Sequence, residues 1–358
     1  MIPQIEPWIG EEELKQLKEV VASSWITEGK KTKEFEEKIG FYTKGKHAIS
    51  ACNGTVALYM CLKALGIMEG DEVIVPDLTF IATANSVFMA GGMPVLADVD
   101  AQGLNLDPSK IEEKITPRTK AIMPVHLYGR PARMDEIMEI ARRHNLFVVE
   151  DAAQGIGVSY KGKHVGTLGT LGVLSFYGNK TITSGEGGMV LTNDDSLAKK
   201  CWMFKNHGRE VKGSFIHPSI GYNFCMTDLQ AAVGIAQFSK LPEIIRRKRR
   251  NREHYEDALS SLSTISFQEA PLGCVDWFTN ILLDKPEKLA LFLEKQGIQT
   301  RRFFYPLHKQ PAYKHLKFGS FPNSTYLYDH GLSLPSSATL TPEDIDFVCE
   351  KIKLFFKG

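Results

Sequence analysis

Val148-Val149-Glu150-Asp151-Ala152-Ala153-Gln154 runs from branched apolar residues straight into two carboxylates, an alanine pair and a glutamine. A short continuous apolar run of this kind reads as a strand buried on both faces, as in parallel sheets. Similar runs recur at Val73-Ile74-Val75, Pro94-Val95-Leu96, Ala121-Ile122-Met123-Pro124-Val125, Val173-Leu174-Ser175-Phe176 and Gly188-Met189-Val190-Leu191. Helical patterns lie between several of them. Met134 to Arg143 places apolar residues at helical spacing, with Asn145 as its stop. Alternating strand and helix predicts an α/β fold over the first two thirds of the chain, with a mainly parallel central sheet flanked by helices.

From Leu241 the texture changes to a charged helix over Glu243 to Leu262, a strand-like run from Trp277 to Leu283, and amphipathic helices over Lys285 to Gln296 and Pro342 to Phe356. A chain of 358 residues exceeds the usual single core. The expected division is a large domain over 1–242, including an N-terminal arm, and a smaller C-terminal α+β domain over 243–358. The basic run Arg246-Arg247-Lys248-Arg249-Arg250 shares its helix with Ile244, Ile245, Tyr255 and Leu259, so it reads as a solvated helix face.

The composition, 43% hydrophobic and 24% charged with a net charge of +1, is that of a globular protein with no nucleic-acid partner. The most apolar stretch, Ser86 to Val99, is broken by Gly91, Gly92 and Pro94, which argues against a membrane span. Met1 to Trp8 carries no basic stretch followed by an apolar run, so the expected location is the cytoplasm. The six cysteines include no Cys-x-x-Cys pair, which predicts reduced thiols rather than a zinc or disulfide framework.

Three features carry chemistry. Ala51-Cys52-Asn53-Gly54-Thr55 is a small polar turn leading into the helical pattern Val56 to Leu62; its free amides, with Gly54 permitting close approach, suit a phosphate. An ordinary cap by Asn53 or Thr55 fits the same residues. Asp151 closes a strand, where open α/β sheets bind ligands. It could hold a metal, act as a base or pair with a protonated ring nitrogen, and no His or second Asp follows at metal-ligand spacing. Lys180 lies in the loop from Ser175 to Gly188, framed by apolar strands that would depress its pKa and make it nucleophilic toward aldehydes. Phosphate site, ring-nitrogen partner and amine are together the handles of pyridoxal 5'-phosphate. A nicotinamide site is excluded, since Gly155-Ile156-Gly157 lacks the third glycine of the fingerprint.

With these residues in place the chain resembles the DegT/DnrJ/EryC1/StrS sugar aminotransferases, a branch of the fold-type I pyridoxal-phosphate enzymes. The matching stretches include Gly70 to Pro76, Thr79 to Asn85, Pro124-Val125-His126-Leu127-Tyr128-Gly129, Glu150 to Gln154, Ser175 to Gly188 and Gly221 to Thr227. The resemblance implies that Lys180 carries the cofactor and moves the proton, Asp151 pairs with the pyridine nitrogen, Gln154 meets the ring hydroxyl and Phe80 stacks on the ring. Gly54, Thr55 and Ser175 would hold the phosphate, with Asn223 reaching in from a second subunit, so that a homodimer shares its active sites. Trp25, His217, Tyr305 and His308 fall in stretches that face the substrate in relatives. Glu186 is characteristic of the family, with no role that follows from its chemistry.

The resemblance also implies L-glutamate as donor and a nucleotide-linked keto-sugar as acceptor. The phrases Phe176 to Thr183 and Thr116 to Pro124 narrow the acceptor to a GDP-linked 4-keto-6-deoxyhexose aminated at carbon 4, a step toward the sugars of O-antigen lipopolysaccharide. The alternatives are a dTDP- or UDP-linked 4-keto or 3-keto sugar, or a sensor that binds the cofactor without turnover. Lys180 argues against the dehydratase relatives, which carry His in its place.

Overall fold

The computed structural model describes residues 1–211, 213–316 and 318–357. Its first sheet is built from β1 (His47–Ala51), β2 (Glu72–Pro76), β3 (Met93–Ala97), β4 (Thr119–Ile122), β5 (Phe147–Asp151), β8 (Leu171–Ser175) and β9 (Gly188–Thr192), with a two-stranded ribbon, β6 (Ser159–Tyr160) and β7 (Lys163–His164), beside it. The seven strands lie in the order β1-β9-β8-β5-β4-β2-β3, and only β9 runs against its neighbours. The carboxyl ends of β1, β2, β5 and β8 therefore share one edge. Gly188 sits there between Ala51 and Ser175 in the strand register.

Helices α1 (Glu11–Ser23), α2 (Lys30–Thr43), α3 (Gly54–Ala64), α4 (Ala82–Ala90), α5 (Met134–His144) and α6 (Asp195–Lys205) belong to this part of the chain. In α5 the apolar face Met134, Ile137, Ile140 and Ala141 is buried. Acidic residues open that helix and Arg142, Arg143 and His144 close it, matching the helix dipole. Asn145 takes the left-handed conformation at φ 52° and ends it where expected.

α7 (Asp228–Leu259) departs from the sequence expectation. It begins 15 residues before Glu243 as one helix of 32 residues, with Pro242 in its interior. An interior proline costs a helix about 3 kcal/mol. Here Leu241 and Ile244, on either side, are buried, and α1 and α2 pack along the helix. The expected division at 242 thus falls inside a continuous helix. Beyond it, β10 (Ile265–Phe267), β11 (Asn280–Leu283), β12 (Arg301–Arg302) and β13 (Gly331–Ser333) form an antiparallel sheet in the order β10-β11-β13-β12, joined by α8 (Pro286–Lys295), α9 (Pro322–His330) and α10 (Pro342–Lys357). The N-terminal arm docks on this second sheet's side, with Ile2 bridging to Ile298.

The basic run on α7 is not uniformly solvated. Arg246 and Arg247 pair with Glu243, but Lys248 turns inward and donates to the carbonyls of Trp277 and Ser336 at 3.0 and 2.9 Å. Four of the six cysteines, Cys61, Cys201, Cys274 and Cys349, are buried, and among the described residues no helix is long and apolar enough to cross a membrane.

Asp276 ties the two sheets together. Arg130 Nη1 reaches its Oδ1 at 2.7 Å and Arg252 Nη1 its Oδ2 at 3.0 Å, all three side chains being buried. Removing one member of a buried charge cluster strands the others, so Asp276→Ala should lower unfolding stability by about 3 to 5 kcal/mol. A urea midpoint equal to that of the unaltered protein would show that the cluster contributes nothing.

Candidate active site

At the shared carboxyl edge lies a cavity of about 610 Å³, and its wall brings together Gly54, Thr55, Phe80, Asp151, Gln154, Ser175 and Lys180. Seven positions chosen from sequence thus converge on one space. β5 delivers Asp151 and β8 delivers Ser175. α3 supplies the turn: Asn53 is its cap, with Oδ1 accepting from Val56 N at 2.9 Å, which leaves the amides of Gly54 and Thr55 free of helical acceptors. The plain capping role and the phosphate-site geometry are therefore compatible. A side chain at Gly54 would meet Ser175 Cβ at 3.0 Å, so the turn and the serine approach because that position is glycine.

Lys180 is half-buried as a residue, yet its amine is enclosed, with Nζ 4.0 Å from the centroid of the Trp277 ring. Burial drives its pKa down to about 8; the nearby Asp151 charge works against this shift and Arg301 adds to it. Asp151 is 5% exposed, and burial raises its pKa. Thr83 Oγ1 donates to Oδ2 at 2.8 Å and the Ala153 amide to Oδ1 at 3.1 Å, while Thr79 hydrogen-bonds Thr83 behind it. Gln154 has its Oε1 occupied by the Tyr128 amide at 2.5 Å, so its Nε2 remains as a donor.

This wall fits pyridoxal phosphate on its own chemistry. A carboxylate buried without a full countercharge favours a cation, such as a protonated pyridine nitrogen. An amide with only its NH2 group free suits a ring oxygen. Asn179 Oδ1, also in the wall, is buried with no hydrogen-bond partner among the described residues.

Other positions lie elsewhere in the chain. Asn223 is exposed and bridges to Asn206, outside the cavity wall. Trp25 is 58% exposed, with Nε1 donating to Glu28 O. His217, exposed, pairs its Nδ1 with His207 O. Tyr305 packs edge-on against Tyr328, and His308 Nδ1 binds the buried Asp77 at 2.7 Å. Glu186 does line the cavity, its carboxyl pushed up by partial burial.

Sequence inspection missed Thr83, Trp277, Phe304 and Arg301. Trp277 is 2% exposed, and its Nε1 donates to Asn179 O at 2.6 Å. It read as the start of a core strand, which it resembles in burial. Arg301 stands four residues before Tyr305, and no spacing rule marks it.

The lowered pKa has a direct readout. In cofactor-free protein the Lys180 ammonium should lose its proton as pH rises through about 8, against 10.5 for an ordinary lysine, so reductive methylation of Lys180 should reach half its maximal rate near pH 8. A midpoint above 10, followed by peptide mass spectrometry, would refute the enclosed-amine geometry.

The chain matches the DegT/DnrJ/EryC1/StrS aminotransferase family over residues 7–353. It is 41% identical over 359 residues to a GDP-perosamine synthase of Escherichia coli O157:H7, spanning 99% of this chain and 98% of that protein. A GDP-perosamine synthase of Caulobacter vibrioides is 43% identical over 339 residues, spanning 92% of this chain and 91% of that one. The crystal structure of the aminotransferase TlmJ from Streptoalloteichus hindustanus superposes with a TM-score of 0.95 at 30% identity, covering 100% of this chain and 99% of TlmJ. With the cavity's lysine, carboxylate and glycine turn beside these likenesses, the chain belongs to the DegT/DnrJ/EryC1/StrS family of pyridoxal-phosphate-dependent sugar aminotransferases.

Proposed function

We propose that this chain transfers the amino group of L-glutamate to carbon 4 of GDP-4-keto-6-deoxymannose, forming GDP-perosamine and 2-oxoglutarate. What carries the nucleotide and sugar is the likeness over nearly the full length to two proteins named GDP-perosamine synthase. What carries the chemistry is the enclosed Lys180 amine facing a cavity that also holds Asp151 and Gln154.

Bound there, pyridoxal phosphate supplies an electron sink for the carbon that loses or gains the proton. Lys180 Nζ would anchor the cofactor and, as a free amine, would take the proton from the donor's α-carbon; burial lowers its pKa to about 8, which favours the neutral amine relative to an ordinary lysine. Asp151 keeps the ring nitrogen protonated, with Thr83 fixing the carboxylate's orientation. Gln154, with Nε2 left as a donor, would meet the ring hydroxyl, and Phe80 would supply an aromatic surface for the ring. Gly54, Thr55 and Ser175 bind the phosphate. Donor and acceptor use the same space in turn, which makes the kinetics ping-pong.

In this reading the active unit is a homodimer. Asn223 is exposed and outside its own cavity, as a residue serving a partner's site would be. Trp25, His217, Tyr305 and His308 serve the sugar nucleotide, and the parts over 1–242 and 243–358, joined through α7, both line the cavity.

The purified protein should absorb in the visible through its lysine-bound cofactor and release 2-oxoglutarate when given glutamate with GDP-4-keto-6-deoxymannose. Lys180→Ala should abolish both signals. Turnover confined to dTDP- or UDP-linked keto-sugars would overturn the choice of nucleotide, and an active Lys180→Ala protein would overturn the lysine's role.

A further inference from the structure

Several buried side-chain polar atoms lack a hydrogen-bond partner among the described residues. Those of Gln4, Arg130, Thr181, Arg209, Arg252 and Asn280 lie outside the cavity wall, and Asn179 Oδ1 alone lies in it. The backbone around that oxygen is pinned on both sides. The Asn179 carbonyl accepts from Trp277 Nε1 at 2.6 Å, and the Lys180 amide closes a turn onto Tyr177 O at 2.9 Å. Lys180 is the next residue in the chain, yet its Nζ rests over the Trp277 ring and gives Oδ1 no hydrogen bond. A buried acceptor left unpaired costs free energy comparable to a lost hydrogen bond. An oxygen kept in that state in the cavity wall is matched to a donor that arrives with a ligand.

The chemistry of the ligands narrows the donor. Bound pyridoxal phosphate offers one N–H, at the pyridine nitrogen, which Asp151 would take; its phosphate, as the dianion, only accepts, and its ring oxygen is matched to Gln154 Nε2. Glutamate has two carboxylates, which accept, and its one nitrogen is the atom transferred. What remains are the hydroxyls of the sugar nucleotide. Those of the ribose, with the guanine N–H groups, lie beyond the diphosphate, at the far end from the reacting carbon. A 4-keto-6-deoxyhexose linked through carbon 1 has hydroxyls at carbons 2 and 3 alone, and carbon 3 adjoins the carbon that receives the nitrogen.

We propose that Asn179 Oδ1 accepts a hydrogen bond from the carbon-3 hydroxyl of the acceptor sugar, and so selects sugars that still carry it. The inference rests on the GDP-sugar reading and deepens it. A site that leaves a buried group unpaired when the hydroxyl is missing discriminates against the deoxy analogue more strongly than an apolar pocket could. An amide oxygen is neutral and has no proton to give, so the contact orients the sugar without helping the hydroxyl to depart as water.

The test uses holoenzyme, unaltered or carrying Asn179→Ala or Asn179→Asp, and two ligands that lack a ketone and cannot be aminated. GDP-6-deoxymannose carries the carbon-3 hydroxyl, and GDP-3,6-dideoxymannose lacks it. Calorimetry reads both affinities, and bleaching of the visible band by glutamate reports whether each variant keeps an intact cofactor site. The unaltered protein should bind the first ligand roughly 10- to 100-fold more tightly than the second. In Asn179→Ala the ratio should fall to within about threefold, through weaker binding of the hydroxylated ligand, while Asn179→Asp, which keeps an acceptor oxygen, retains part of it. Equal affinities in the unaltered protein, or a preference that survives Asn179→Ala, would overturn the assignment. So would a variant that loses the glutamate reaction and keeps the preference, since the oxygen would then serve the lysine. Binding of neither nucleotide by the unaltered protein would be a different failure, removing the GDP-sugar reading and this assignment with it.

Discussion

Keeping the Asp151 carboxylate buried is the constraint around which the rest of the site is arranged. A buried carboxylate is costly, and the fold meets only part of that cost, with one hydroxyl from Thr83 and one amide from Ala153. The remainder is left for a ligand. Its neighbour shows the contrast. Glu150 is equally buried, but it accepts from His126 Nε2 and from the amides of Gly166, Leu168 and Gly169, at 2.9, 2.8, 2.7 and 2.6 Å. His126 Nδ1 accepts from the Ala132 amide, which makes Nε2 the protonated nitrogen and the Glu150 contact a donated hydrogen bond. Successive strand residues face opposite sides of a sheet, so adjacent carboxylates divide the work: Glu150 braces the strand from behind, and Asp151 faces the cavity.

The second half of the chain enters the site through one strained turn. Tyr128, buried, sits in the left-handed region at φ 55°, and Gly129 follows at φ 81°, where a Cβ would fall 1.8 Å from Val275 O. Left-handed backbone in a bulky residue is held only when its surroundings impose it. The surroundings are explicit: the Tyr128 amide binds Gln154, its carbonyl accepts from the Trp277 amide at 2.9 Å, and its hydroxyl accepts from the Phe304 amide at 3.1 Å. The same turn therefore orients the amide that faces the ligand and docks the tryptophan under Lys180. The Asp276 cluster, with Arg130 at the end of this turn, locks the arrangement from behind.

What could be read from sequence follows from how local the signal is. Strands β2, β3, β4, β5, β8 and β9 are continuous apolar runs, and α5 carries its own stop signal, so each announced itself. β1 did not: His47-Ala48-Ile49-Ser50-Ala51 has a polar residue in its buried part, and Ser50 is accommodated because Glu36 accepts from both its amide and its hydroxyl. The change of texture from Leu241 looked like a boundary, yet Pro242 lies inside α7, which packing of Leu241 and Ile244 holds together. Lys180, Asp151, Gln154, Phe80, Ser175 and the Gly54 turn were legible because they sit in motifs at strand ends. Trp277 and Arg301 were not, since they come from a distant sheet and are brought to the cavity only by folding. Asn223, Trp25, His217, Tyr305 and His308 face outward or bind neighbours within the chain.

A lowered pKa by itself does not mark the reactive lysine, and the chain contains its own control. Burial brings Lys248 down to about 8, the same value as Lys180 and by the same cause. Yet Lys248 Nζ donates to two backbone carbonyls, Trp277 O and Ser336 O, and lies outside the wall of the Lys180 cavity. Its protons are spent on holding the chain segment that carries the indole. Lys180 Nζ instead rests over the face of that indole, where the contact is weakly directional and easily left. Of two equally desolvated amines, one is bound to the fold and the other is free to bind a ligand, and the first steadies the tryptophan that encloses the second.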